Sequence, residues 1–236
     1  MNKKERNKIL EDAKNFFRER IAESHIKNTS KLADITEFNI NPFLNTYLSH
    51  FAFGNSTPES IAKSLIYPRA LGTSITTTFG TQIQYFCNEV LKKYVSGSTT
   101  SGIDIEFTDA VDGRHKYCQV KAGPQTINKD DVTTIKNHFK SARNLGRTND
   151  VKIKAEDCIV GILYGTHDDL SANYKKIEDD YSVYIGQEFW YHVTGDSAFY
   201  YDLIDAFGEV AEETDGTDIL KKAIAALASE IARRHS

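Results

Sequence analysis

The chain has 236 residues, 40% apolar and 26% charged, which is ordinary globular usage and excludes collagenous, low-complexity and wholly disordered architectures. At this length one domain with helical additions is expected rather than two independent domains. The net charge of −4 argues against a general polyanion coat, but the charge is segregated. From Arg114 to Lys154 there are ten Lys or Arg against three Asp, whereas from Asp202 to Leu220 there are seven acidic residues and no basic ones. A polyanion would bind the middle of the chain and be repelled by its C-terminal third.

The N-terminus MNKKERNKIL carries four basic residues without a following apolar run, and no later stretch approaches the roughly 20 apolar residues of a bilayer crossing. Neither secretion nor a membrane span is expected, and the expected location is cytoplasmic. Cys87, Cys118 and Cys158 are odd in number and form no CxxC pair, so they read as small buried thiols in a reducing compartment.

Residues 3 to 25 place Leu10, Ala13, Phe17 and Ile21 at helical spacing. The next segment, to residue 55, is less periodic, and Asn41-Pro42 reads as a stop signal within turns or a short helix. Ser56-Thr57-Pro58-Glu59 reads as a capped helix start, with the helix ending near Pro68 to Gly72. Ile83, Phe86, Cys87, Val90, Leu91 and Tyr94 give the strongest amphipathic helix, over 81 to 95. After a flexible VSGSTTSG linker, Ile103, Ile105 and Phe107 alternate with Asp104 and Glu106 as a strand. A turn at Asp112-Gly113 leads to a second strand, HKYCQVK, with Tyr117, Gln119 and Lys121 on one face and Cys118 and Val120 on the other. A helix is expected over 128 to 143, a buried strand over 157 to 165, a short strand over 182 to 185, and mostly helix from 187 to 234.

This hairpin carries the chemistry. Alternation lets Asp104 and Glu106 share a face with Gln119 and Lys121, so a carboxylate, an amide oxygen and an ammonium converge beside backbone carbonyls. Such hard oxygen donors suit Mg²⁺. A metal there would polarise a phosphate oxygen and activate water, with the lysine orienting that water and balancing charge in phosphodiester hydrolysis.

On these residues the sequence resembles the PD-(D/E)xK nucleases, and among them the type II restriction endonucleases. The first motif is Ile103-Asp104 and the second Gln119-Val120-Lys121, followed by Ala122-Gly123-Pro124-Gln125-Thr126-Ile127-Asn128, similar to a QVKAGPxTIN run. Ile40-Asn41-Pro42-Phe43, Phe79-Gly80, the segment Val160 to Gly165, and Gly186-Gln187-Glu188-Phe189-Trp190 are similar to a branch cutting GC-rich, often interrupted palindromes. Ile103 stands where the motif name has Pro, and Gln119 where most members have Asp or Glu. The missing charge weakens the expected cation site unless Glu106, Glu89 or Gln84 compensates.

The resemblance implies an α/β fold with a restriction-endonuclease-like core, a mixed β-sheet flanked by helices, with N- and C-terminal helical additions. It implies one nuclease domain: a helical subdomain over 1–75, a catalytic core over 76–190 and helices over 191–236. It also implies a homodimer that hydrolyses double-stranded DNA at a short sequence with Mg²⁺, leaving 5′-phosphate and 3′-hydroxyl ends. Asp104, Gln119 and the Val120 carbonyl would hold the metal, and Lys121 would position the attacking water.

Independently of resemblance, Lys129, Lys136, Lys140 and Arg143 fall within an arc of roughly 60° beside Val132, Ile135, Phe139 and Ala142, a cationic stripe suited to phosphates and expected to adjoin the hairpin. Gln125, Thr126, Asn128 and Lys129 follow the second strand as candidate base readers. Absence of His pairs at metal spacing argues against zinc, and absence of GxxxxGK[ST] or GxGxxG argues against a nucleotide cofactor. Three rival readings are a DNA-binding protein without cleavage, a structure-directed repair nuclease, and a helical interaction protein with an accidental motif.

Overall fold

A computed structural model describes residues 1–234. They fall into two compact units, one formed by Met1–Lys14 with Gly80–Gly208, the other by Asn15–Phe79 with the segment from Glu209 onward. Asn15–Phe79 and the segment from Glu209 onward therefore share a helical unit, while the sheet-bearing unit takes in Met1–Lys14 and runs on to Gly208.

Helix α1 (Lys3–Phe16) continues through a wide π turn at Phe17–Ala22 into α2 (Glu23–Lys31). Asn41-Pro42, expected to stop a helix, instead starts one. The Asn41 carboxamide accepts from the Phe43 and Leu44 N–H groups and Pro42 supplies the first residue of α3 (Pro42–Phe53). The dipeptide opens a helix, because proline is tolerated where the N–H would be unpaired. Thr57 caps α4 (Pro58–Pro68), as its sequence predicts. The predicted end at Pro68 to Gly72 is overturned: the chain passes through a second π turn, Arg69–Ser74, into α5 (Ile75–Val90). Proline lacks the N–H and its ring crowds the carbonyl four residues back, and a widened turn absorbs both without ending the helix. In this helical unit α4 packs on α10 (Thr217–Arg234), with Ala62, Ile66 and Ala70 against Ala223, Ile224, Leu227 and Ile231.

The sheet has strand order β1-β2-β3-β4-β5. Part of the expected linker forms the edge strand β1 (Val95–Gly97), antiparallel to β2 (Ile105–Thr108), which is antiparallel to β3 (His115–Lys121). Gly113, at φ +70°, makes the hairpin turn. Strands β4 (Cys158–Ile162) and β5 (Ser182–Ile185) then add in parallel, the first after α6 (Lys129–Thr148), the second after α7 (Ala172–Glu178). Parallel neighbours need such crossovers. Val132, Ile135, Phe139 and Ala142 of α6, with Tyr174 and Ile177 of α7, bury against Cys158, Val160, Ile162, Val183 and Ile185. Each large apolar side chain so buried contributes about 1.5–3 kcal/mol. The β4 residue Gly161 admits the ring of Phe189 from α8 (Gln187–Thr194): a Cβ there would lie 2.3 Å from that ring. Helix α9 (Phe199–Glu213) follows α8. The result is the mixed sheet flanked by helices that the sequence predicts. No helix among the described residues is long and apolar enough to cross a membrane.

Candidate active site

The antiparallel register of β2 and β3 pairs Ile105 with Cys118, and Asp104 lies one residue beyond it. Its N–H donates to the Cys118 carbonyl at 3.0 Å, and its carboxylate Oδ2 accepts from the Val120 N–H at 2.8 Å. That second bond ties the carboxylate to the β3 backbone between Gln119 and Lys121. Alternation puts Gln119 and Lys121 on one face of β3, and their neighbours across the parallel ladder are Val160 and Ile162. The Lys121 carbonyl is held in turn by the Leu163 N–H.

Asp104 is a half-buried acid. Burial raises its carboxyl pKa above the ordinary value, opposed in part by the Val120 N–H and by the nearby positive potential of Lys121 and His138. All three cysteines are buried free thiols. Burial, then the charge of Asp104, pushes Cys87 up to about 12 and Cys118 well up, so these neighbours stay protonated and offer no soft ligand.

Gln119 is buried rather than solvated, only 4% exposed. Its Nε2 lies 3.4 Å from Nδ1 of His138 on α6. His138 was not singled out by sequence reasoning. Its signal was helical phase: at 100° per residue it lies beside the apolar stripe of α6, on the flank away from the lysines. The ring rests against Gly102, where a Cβ would come within 2.2 Å of it. Gly102 also has φ +76°, so glycine is required there twice over.

The auxiliary candidates are placed differently. Glu106 is bonded to Ser98 Oγ and to His115 Nε2, the latter at 2.8 Å. Gln84 and Glu89 are exposed on α5, whose buried edge carries Cys87. Among the described residues no three His, Cys, Asp or Glu converge as a metal cluster.

The cationic stripe lies apart from the hairpin. Lys129, Lys136, Lys140 and Arg143 sit roughly 140–200° around α6 from His138, across its buried stripe. Lys136 pairs with Asp180 at 2.5 Å, beside β5 rather than β2. This corrects the expectation that the stripe adjoins the hairpin: an amphipathic helix has two flanks, and phase alone does not say which one faces β2. The loop after β3 does adjoin the site. Gln125 is exposed there, lining an open cleft of about 420 Å³ with Pro124, Thr126, Tyr164, Gly165 and Asp169. The Thr126 hydroxyl donates to the Gly123 carbonyl at 2.9 Å, and Asn128 caps α6 by accepting from Asp130 and Asp131 N–H groups.

A family model, type II restriction endonuclease EcoO109I, matches residues 11–215, a span that includes every strand and the whole hairpin. The chain belongs to that family. No curated protein matches it. Membership of the EcoO109I family makes this a restriction endonuclease-type nuclease acting on DNA.

Proposed function

We propose that the protein is a type II restriction endonuclease that hydrolyses double-stranded DNA at a specific short sequence with Mg²⁺, through Asp104, Gln119 and Lys121. The observation that carries this reading is the Asp104 carboxylate bonded to the β3 backbone between Gln119 and Lys121.

The donor set fits the cation. Asp104, the Gln119 amide oxygen and the Val120 carbonyl are hard oxygens, and Mg²⁺ is commonly held by one or two carboxylates completed by substrate phosphate and water. With one carboxylate the site leans on the phosphate for its remaining charge, so metal and DNA bind together. Bound there, Mg²⁺ supplies charge neutralisation at the scissile phosphate and a lowered pKa for water.

The chain's own groups do the rest. Asp104, fixed by Val120, presents oxygen in an invariant direction. The Lys121 ammonium orients the attacking water and offsets negative charge as it develops. Water adds to phosphorus in line with the departing 3′ oxygen; the bond to that oxygen breaks, leaving a 5′-phosphate, and the 3′ oxygen takes a proton. Gln125, Thr126, Asn128 and Lys129, in the loop beside the site, are the proposed base and backbone contacts. Lys136, Lys140 and Arg143 are proposed phosphate contacts farther from the cut, Lys136 by exchanging Asp180 for phosphate. The QVKAGPxTIN run supports a GC-rich, often interrupted palindrome as target, and the proposed location, with such a DNA substrate, is the cytoplasm.

A palindrome presents two equivalent phosphates, which a two-fold homodimer matches. Helix α3 supports this with an exposed, carboxylate-free stripe of Phe43, Tyr47 and Phe51, the last two rings stacked at 5.9 Å. A second copy of the chain is the proposed occupant. Sedimentation should give a dimer that Phe43→Asp with Phe51→Asp converts to monomer.

The decisive experiment is digestion of a plasmid of known sequence with Mg²⁺, followed by end mapping. Discrete fragments are expected, lost in Asp104→Ala and Lys121→Ala while sequence-specific binding survives. Cleavage retained in either variant would sink the assignment.

A further inference from the structure

Gln119 stands where a carboxylate would present two equivalent oxygens, and an amide presents one. Whichever way the amide is turned, either oxygen or NH₂ faces the Asp104 side, and only the oxygen can meet a cation. Substituting amide for carboxylate therefore creates a need for orientation that the acid does not have.

The structure contains a group suited to meet it. Gln119 Nε2 is a donor only, so the His138 Nδ1 that lies 3.4 Å from it acts as the acceptor. The ring is itself held, seated on Gly102 where no other residue leaves room for it. Gly102 precedes Asp104 by two residues, so one short stretch positions the acid directly and the amide through the imidazole.

We infer that His138 is a positioning residue that holds the Gln119 amide with its NH₂ toward α6, leaving its oxygen for the cation site. The inference rests on the proposed nuclease reading. It predicts that the residue at 138 must accept a hydrogen bond at the place of Nδ1 and need do nothing else. Asn offers a carboxamide oxygen at about that place, whereas Ala offers nothing.

The test uses the full chain in two measurements. In metal-free protein, ¹⁵N–¹H spectra report the Gln119 side-chain NH₂ pair, identified by its loss in Gln119→Glu. This pair should shift in His138→Ala and stay near its wild-type position in His138→Asn. With Mg²⁺ and cognate duplex, His138→Ala should cut about 10- to 100-fold more slowly, the usual cost of removing an outer-shell partner, and His138→Asn should recover most of that loss. An unmoved NH₂ pair in His138→Ala, a wild-type cleavage rate in that variant, or a His138→Asn protein as slow as His138→Ala would each overturn the inference. Failure of the nuclease reading is distinct: Asp104→Ala and Lys121→Ala would then still cut DNA, whatever the spectra show.

Discussion

The two ends of the β2–β3 hairpin each set a lysine against an aspartate, and they resolve the pairing in opposite ways. At the turn end Asp109 is 1% exposed and Lys116 likewise. Lys116 Nζ reaches Asp112 at 2.6 Å, the Glu156 carbonyl at 3.1 Å and Asp109 at 3.6 Å. Both Asp109 oxygens lie 2.8 Å from His192 Nδ1, whose ring stacks on Tyr184 at 4.0 Å. Burial and then the charge of Asp109 push the Tyr184 hydroxyl up. At the open end Asp104 has one backbone donor and a raised pKa. A buried carboxylate satisfied on all sides is structural; one left short of partners is poised for a ligand.

Exchanging the damage between the ends tests this difference. Asp104→Asn keeps an acceptor for the Val120 N–H but removes the charge, so cleavage should fall by at least about 10²–10³-fold in a plasmid assay. Its melting temperature should hold or rise at pH 7, because burial disfavours the ionised acid; a fall of many degrees would erase the contrast. Asp109→Ala should do the reverse. Leaving His192 and Lys116 short of a buried partner costs about 3–5 kcal/mol, read by thermal unfolding at about 2–4 °C per kcal/mol, with cleavage by the folded fraction retained.

Gln119→Glu should lower the Mg²⁺ concentration for half-maximal cutting by about tenfold, as one added charge contributing about 1.4 kcal/mol would give. The smallest effect is in the pH dependence of stability, where the two ends have opposite signs. Asp112, though burial raises it, is held below the ordinary carboxylate value by Lys116 and Arg114. Its stabilisation is present above pH 3.8 and is lost as pH falls through the lower folded value. Asp104, raised by burial, contributes most below pH 3.8, and that contribution is lost as pH rises through its folded value. Denaturant unfolding from pH 7 to pH 3 should therefore lose a component in wild type that Asp112→Asn lacks, worth under about 1 kcal/mol because Asp112 is partly solvated.

Much of this was legible in sequence because strand alternation is strict. Ile103, Ile105 and Phe107 set the phase of β2, and the alternation of HKYCQVK puts Gln119 and Lys121 on one face of β3. The same alternation puts Lys116 on the buried face with Cys118 and Val120, a signal of the ion cluster that was open to reading. Phase was not enough for α6. Its buried stripe was plain, but whether the lysines or His138 would face the hairpin depends on which side of the helix β2 comes to occupy, a tertiary fact. Helix boundaries at Asn41-Pro42 and Pro68 were misread for a local reason: proline marks a place where an N–H is missing, and either a first turn or a widened one accommodates that.

The outermost strand β1 has only three residues, with Gly97 at its end. A border this brief exposes few unpaired peptide groups along which a foreign strand could zip. On that side the sheet therefore has little tendency to grow sideways into aggregates.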